Sequence, residues 1–472
     1  MFLPSQPLTL PILAELLGAH EPVRLAPEAA QRLAAPPAAQ AASQPPGWPY
    51  LLAPELPTEP TNLAASLLLA YAAGTGPALP APLVRRLLLL KAYRLSQRSA
   101  GTDPAIVRRL LDFFSREVWP VVPEQGALGL LGNQIPLAHL CLPLLGLGEV
   151  DYQGYRLAAA DVLGLFGWEP LALPAQAALA LLHGGEFTLA YATEALARAS
   201  HLLAAAEAIG ALAAEVYGAP PLASPAEPAH PEAEAEPLAG PALPSQAEAS
   251  LPAATAATFE RLAPVHEVAR QALARAQQAT EAALQAASEP GLLFSADELL
   301  PGPHLVGEAL PLLLGPLAQA VADLGTRSAR RTARLVAGER QLPRYLAPGA
   351  AQPFGLLALP QAAASLVAQS QQLARAVGLA EMSPEGAYGP LSDGAAGAAE
   401  ALQLLEATEQ LLGIELLAAA QALEFRRPAS GSPALEAVVA ALRAHVTFVV
   451  PGQALAPGLH LAARFVREYQ WA

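Results

Sequence analysis

The sequence predicts a mainly α protein, a bundle of long helices, and three observations lead there. Alanine and leucine dominate the 472 residues, while aromatics make up 5% and charged residues 14%. That mixture favours helix over sheet, because Ala and Leu have high helix propensity and β-branched residues are few. Apolar residues also recur on one face of long segments, as Leu405, Leu412, Leu416 and Ala419 do at seven-, four- and three-residue steps. Proline, finally, crowds into 35–60, where no long regular element can form. A chain of this length can bury a sizeable core and hold two or three domain-sized units.

The elements follow in order. A helix is expected over 9–17, then an extended piece over 22–25, and Ala26-Pro27-Glu28 opens a second helix with Pro in the first turn. After the proline-rich stretch, 62–73 is helical and Gly74-Thr75-Gly76 ends it. Helices are expected from 82 to 97 and, after the cap-like Thr102-Asp103-Pro104, to residue 117. The glycine-rich stretch 120–133 is helix-poor, helix returns over 136–145, and 150–157 forms a hairpin around Gly154. Further helices are expected over 158–165, 175–183 and 187–213. Residues 218–253 are mostly Ala, Pro and Glu and lack the apolar surface that offsets ordering entropy, so a flexible loop is expected. The rest is long helix: 256–287, 307–336 with kinks at Pro311 and Pro316, 361–377, 395–423 and 433–445. The expected division is an N-terminal domain over 1–150 and a helical bundle over 151–472.

Composition excludes several classes. A net charge of −14 argues against a nucleic-acid partner, which needs clustered positive charge. The densest basic run, Arg327-Ser328-Ala329-Arg330-Arg331 with Arg334, is expected to be the solvated or ion-paired face of a helix. The single cysteine, Cys141, excludes an internal disulfide and a multi-thiolate metal site; its apolar surroundings predict a buried structural thiol. Residues 1–9 have no basic region and contain prolines, unlike a signal peptide. Apolar stretches such as 310–321 are bounded by charges within fewer than the roughly 18 residues a membrane span needs. A soluble, cytoplasmic protein with no membrane partner is expected. No His-x-x-x-His spacing supports a metal, Gly74-Thr75-Gly76 lacks the rest of a phosphate loop, and no Gly-x-Ser-x-Gly elbow occurs.

Several collinear segments carry a resemblance. Residues 121–129, Val-Val-Pro-Glu-Gln-Gly-Ala-Leu-Gly, followed by Pro136-Leu137-Ala138-His139-Leu140 and the glycine-punctuated 144–149, resemble the signature block of histidine and phenylalanine ammonia-lyases. Residues 70–76 resemble that family's Ser-His-Ala-Ala-Gly-Val-Gly, and 181–186 its Leu-Leu-Asn-Gly-Thr-Gln. Ser328-Ala329-Arg330-Arg331 resembles its Ser-Glu-Arg-Arg helix, and 413–421 is close to the family pattern throughout. The resemblance covers about 8–426. It implies an ammonia-lyase-like long-helix bundle of the L-aspartase/fumarase-like superfamily. It also implies a homotetramer whose sites each draw residues from three subunits.

These lyases remove ammonia with an electrophilic methylidene-imidazolone ring, formed when an Ala-Ser-Gly tripeptide cyclises and loses water. The corresponding positions here are Leu130, Leu131 and Gly132, followed by Asn133 in place of Asp. Leucine has no β-leaving group, so the cofactor is not expected to form. The resemblance places Thr258 where the family has a Tyr and keeps its carboxylate-gripping Arg as Arg261. His183 replaces the Asn of Asn-Gly-Thr, and 304–307, beginning with His304, replace Asn-Phe-His-Gly. Residues 387–390, including Tyr388, replace Gln-Glu-Asp-His, and 368–371 replace Ser-Glu-Asn-Lys. The loop bearing the catalytic tyrosine has no counterpart, although Tyr50 lies in that region. Loss of electrophile and base together leads to the expectation of a catalytically silent homologue acting as scaffold, partner subunit or small-molecule binder. The alternative is a lyase-family enzyme with altered chemistry on an amino acid or related substrate, for which Arg261 speaks. A mixed oligomer with an active ammonia-lyase is a third possibility.

Overall fold

The computed structural model describes residues 1–34, 63–97, 103–126, 134–173, 175–182, 184–218, 262–286, 304–347, 349, 354–377, 383–386, 389–391, 394–427, 432–450 and 452–471. Over these the protein is mostly helical, as expected. The proline-rich 35–60 and, from residue 219 on, the loop expected over 218–253 lie outside the described residues.

The first helices are α1 (Leu10–Gly18) and α2 (Pro27–Ala34), and Thr9 caps α1 by accepting from the Ile12 N–H. α3 (Leu63–Tyr71) stops short of a strand, β1 (Thr75–Ala78), where the sequence suggested only a helix stop. α4 (Ala81–Gln97) and α5 (Pro104–Ser115) form a helical hairpin; Asp103 caps α5 at 2.8 Å, with Pro104 in the first turn. Their facing sides bury Leu83, Leu87, Leu90, Val107, Leu110 and Phe114. The short strands β2 (Trp119–Pro120) and β3 (Pro123–Gln125) follow, and β3 pairs antiparallel with β1.

α6 (Gln134–Cys141) runs into a 3₁₀ turn that ends at Gly146, whose φ of 72° is the left-handed conformation glycine adopts without strain. The hairpin expected around Gly154 is present as β4 (Glu149–Tyr152) and β5 (Tyr155–Ala158), and β4 also pairs with β2. Its two turn residues, Gln153 and Gly154, both have positive φ, the geometry that matches the twist of a tight hairpin. Next come α7 (Ala159–Leu165), α8 (Ala175–Leu182) and the 32-residue α9 (Glu186–Tyr217). Among the described residues α9 alone is long and apolar enough to pass as a membrane span, yet most of its apolar window is buried inside the protein.

The second half holds α10 (Leu262–Ala286), α11 (His304–Ala337), α12 (Leu359–Val377), the small hairpin β6 (Ser383–Gly386) and β7 (Gly389–Leu391), and α13 (Gly394–Glu424). α11 is one continuous helical segment that includes Pro311 and Pro316. α14 (Pro433–Arg443) and α15 (Leu455–Glu468) complete the chain, and α15 was not foreseen.

The chain divides into two compact units, and four of the five boundaries fall within long helices. Unit one comprises Met1–Glu194, Gln277–Leu313 and Leu379–Ala399; unit two comprises Ala195–Ala276, Leu314–Gly378 and Glu400–Ala472. In unit two, buried Arg331 of α11 donates to both carboxylate oxygens of buried Glu415 on α13, at 2.5 and 2.8 Å. The Gln421 side chain donates to the Val449 carbonyl and accepts from its N–H, 3.0 Å each way. Glu409 holds Arg198 of α9 and Arg467 of α15 together. At Gly413, an added Cβ would lie 2.7 Å from the Ala463 nitrogen, so α13 and α15 pack backbone to backbone.

Candidate functional site

In unit one, described elements converge on both sides of the tripeptide positions. β3 leads into residues 127–133 and α6 leads out. Thr75 lies opposite Gln125 across the β1–β3 pair, and its hydroxyl donates to Gln125 Oε1 at 3.1 Å. The Gly74 N–H donates to His139 Nε2 at 3.1 Å. An Nε2 that accepts leaves the ring proton on Nδ1 and the imidazole neutral, and burial lowers the His139 pKa in agreement. Gly126 enters the segment with φ 123°, and a Cβ there would meet Ile135 Cγ2 at 2.7 Å. Only glycine allows the chain to pass this close to α6.

The second arm is the start of α9. Gly184 has φ 142°, and a Cβ on it would collide with the Glu186 carboxylate. Glu186 is buried, with Oε1 3.5 Å from Lys91 Nζ and 3.4 Å from Arg94 Nε, both on α4. Its Oε2 has no hydrogen-bond partner among the described residues. The lone lysine of the sequence is thus spent on a fully buried ion pair, an arrangement that carries a large desolvation cost unless it is well paired. The Cys141 thiol shares this neighbourhood: burial pushes its pKa up to about 12, with Lys91 opposing and Glu186 adding. It is the buried, inert thiol the sequence suggested. One turn along α9, Tyr191 stacks edge-to-face on Phe187 at 5.1 Å. Burial, and then the charge of Glu124 on β3, raise its hydroxyl pKa.

Of the residues the resemblance assigns to the site, Leu130, Leu131, Gly132, Asn133, His183, Thr258, Arg261 and Tyr388 lie outside the described residues, as does Tyr50. His304 is the first residue of α11. The structure therefore brings together the flanks of these positions: Gly126 and Ile135 around 127–133, and Gly184 and Glu186 after 183. Glu186, Lys91 and Arg94 were not anticipated. A signal existed, since Glu186 stands where the quoted family motif has a neutral Gln. The basic run on α11 differs from expectation too: Arg327 pairs with Asp323 near the surface, but Arg331 is sunk against Glu415. Among the described residues no group of three or more His, Cys, Asp or Glu is placed to hold a metal ion.

Comparison with known proteins places this architecture among lyases. The family model for aromatic amino acid lyases matches residues 54–234 and 255–444, and the chain belongs to that family. A histidine ammonia-lyase of Symbiobacterium thermophilum is 34% identical over 418 residues, 86% of this chain and 82% of the relative. Among solved structures, histidine ammonia-lyase from Trypanosoma cruzi superposes with a TM-score of 0.80 at 22% identity, covering 99% of this chain and 93% of that one. The ergothioneine-degrading ergothionase of Treponema denticola superposes with a TM-score of 0.78 at 16% identity, over 99% and 98%. These likenesses to solved structures confirm the ammonia-lyase-like helical fold.

The expectation of a catalytically silent scaffold or binder is corrected by these relatives. Besides the 34% match, other histidine ammonia-lyases are 31–32% identical over 82–89% of this chain. The physical error was to treat one missing electrophile and one missing base as the loss of the whole reaction. An elimination needs a base, a grip on the substrate and a leaving group that can depart, and different residues can fill each role.

Proposed function

We propose that the chain is a lyase of this family that eliminates an amine from an amino acid or a close derivative, with chemistry altered from that of its relatives. The 34% identity to a histidine ammonia-lyase over most of both chains carries this reading. Leu130-Leu131-Gly132 does not fit the methylidene-imidazolone, because no side-chain oxygen is there to leave, and no step is derived through that group. Arg261 is proposed to grip the substrate carboxylate through a bidentate pair. His183, Asn133, Thr258, His304 and Tyr388 are proposed as further substrate-binding candidates. A homo-oligomer, which the resemblance implies, is proposed as the working form.

Without an electrophile, the identity of the leaving group matters. A primary ammonium loses an N–H proton to a base more readily than its weakly acidic Cβ–H, and the neutral amine then leaves poorly. A permanently cationic, quaternary amine has no N–H to lose. Betaine forms of aromatic amino acids are therefore favoured substrates, and ergothioneine, named for the Treponema neighbour, is such a betaine.

The test combines two measurements. Peptide mass mapping over 120–156 should return the unmodified mass. Incubation with His, Phe, Tyr and their trimethylated betaines, followed by the ultraviolet absorbance of an acrylate product, should show turnover on betaines. Turnover of free amino acids at equal rate would remove the leaving-group argument and keep the lyase. No acrylate from any of these would count against the lyase reading itself.

A further inference from the structure

The strand pair β1–β3 has a weak ladder of its own. Thr75 faces Gln125 and Ala78 faces Pro123, but the register shifts between them. Gly76 sits at φ 84°, and Pro77 has no N–H to donate. Just past the end of β1, the Leu79 N–H donates to the Val122 carbonyl at 2.8 Å. At its start, the Thr75 hydroxyl reaches Gln125, and the Gly74 N–H donates to Nε2 of His139 on α6. A Cβ on Gly74 would stand 3.0 Å from Pro123 and 3.1 Å from that Nε2. The imidazole tip therefore meets the chain where β1 and β3 come together.

This bond depends on the protonation state of the ring. A neutral imidazole offers Nε2 as an acceptor, whereas an imidazolium carries N–H donors on both nitrogens. Protonation thus sets donor against donor at 3.1 Å, and turning the ring over restores no acceptor. Few charges stand by to offset it. α6 packs against α3, α8, β2, β3 and the 3₁₀ turn that follows it. By sequence α3, α8, β2 and that turn have no acidic or basic residue, and Tyr71 ends α3. Glu124 is the carboxylate of β3, and burial raises its pKa. On α6 itself Cys141 is kept neutral by burial, and near it Lys91 and Glu186 are paired with one another.

We propose that His139 is a proton-operated latch on the β1–β3 pair: neutral, it holds Gly74, and protonated, it lets the start of β1 open while the helices stay folded. A released ring meets water and regains its ordinary proton affinity, so opening takes up a proton. The folded-state pKa is lowered by burial from 6.5, so the latch is closed above pH 6.5 and opens as the pH falls toward the folded-state value. For a single proton the opening constant rises by up to about tenfold per pH unit in that window. Local opening of this kind leaves the core intact. β3 leads through Gly126 into residues 127–133, so the order of this flank becomes a function of pH. The latch is independent of which substrate the chain takes.

Hydrogen–deuterium exchange of the full-length protein decides it, read by mass spectrometry from about pH 7.5 to 5 and corrected for the chemical exchange rate. The peptide covering 72–79 should lose protection by up to about tenfold per pH unit below 6.5, while peptides from α4 and α9 keep theirs. Unchanged protection at 72–79 overturns the latch. A loss shared by α4 and α9 overturns it too, because that is global unfolding. His139→Gln keeps a side-chain acceptor at every pH and should make the protection of 72–79 independent of pH; a loss equal to the parent's overturns the role of His139. Glu124→Gln should leave the parent's pH dependence in place, and its disappearance would assign the titration to Glu124 instead. If His139→Gln does not fold, the ring is followed by nuclear magnetic resonance in the parent protein. Its titration should then run in step with exchange at 72–79, and a ring that stays neutral while 72–79 opens overturns the latch.

Discussion

Replacing Glu415 by alanine strips the carboxylate from the buried guanidinium of Arg331. Arg331 is 1% exposed and Glu415 fully buried, and two hydrogen bonds at 2.5 and 2.8 Å join them between α11 and α13. Such a pair adds little net stability compared with apolar residues of the same volume, because desolvation offsets the attraction. Breaking it from one side is different, since it leaves a bare buried charge at a cost of about 3–5 kcal/mol. Against a typical total of about 5–15 kcal/mol, that is a large fraction of the fold's stability. The assay is urea unfolding followed by far-ultraviolet circular dichroism at constant protein concentration. At a slope of about 2–3 kcal/mol per molar, Glu415→Ala should lower the midpoint by about 1–2 M. Arg331→Met with Glu415→Leu should recover most of the loss, because the cavity is refilled and no charge remains. A single variant within about 1 kcal/mol of the parent would refute the reasoning. So would a double variant no more stable than the single one.

Three shorter predictions follow. Gly413→Val sets a side chain against the backbone at Ala463, 2.7 Å from where its Cβ would stand, and should cost about 1–3 kcal/mol; limited proteolysis should then release α15 first, and an unchanged digestion pattern would contradict the close packing. His139 has its pKa lowered below the usual 6.5 by burial. The unfolded chain therefore binds the proton more tightly than the folded one, the stability is fully present above pH 6.5, and it declines as the pH falls through 6.5 toward the folded-state value. A melting-temperature series across that window should be flatter for His139→Gln than for the parent. Cys141, with its pKa near 12, should resist iodoacetamide at pH 8 in the native protein and react on unfolding; native-state alkylation would show that the thiol is not sealed in.

The helices were legible because each kind of signal is local. Thr9 and Asp103 are capping residues in the right place, and both cap. Gly154 marked a hairpin because only a turn of that type tolerates consecutive positive φ. What escaped was either disguised by proline or non-local. α15, not foreseen, contains Pro457 and Gly458, both helix breakers by type, yet Pro457 falls in the first turn, where its missing N–H costs nothing. β1 was hidden because Thr75–Ala78 has no strand periodicity and exists through its pairing with β3. In the site, glycines such as Gly126 and Gly184 were visible as letters, but the contacts that require them, Ile135 and Glu186, become apparent only in three dimensions.

The charged residues carry the remaining lesson. Arg331 and Glu415 lie in two segments that both resembled the family, 84 residues apart, and the structure shows why those segments go together: each supplies half of one buried pair. Lys91 and Glu186 behave alike over 95 residues, with Arg94 on the same carboxylate oxygen. A buried ion pair is intolerant of one-sided change, so its presence on both sides of a fold ties distant segments to a common geometry. Leu130 and Leu131 differ in kind: as residues they carry neither a charge nor a side-chain oxygen. The frame that positions substrate can therefore persist while the means of activating the leaving amine changes. Under that logic the question for this chain shifts from whether a serine is missing to which base and which leaving group replace its contribution. A permanently charged leaving amine is a specific proposal that the betaine assay tests directly.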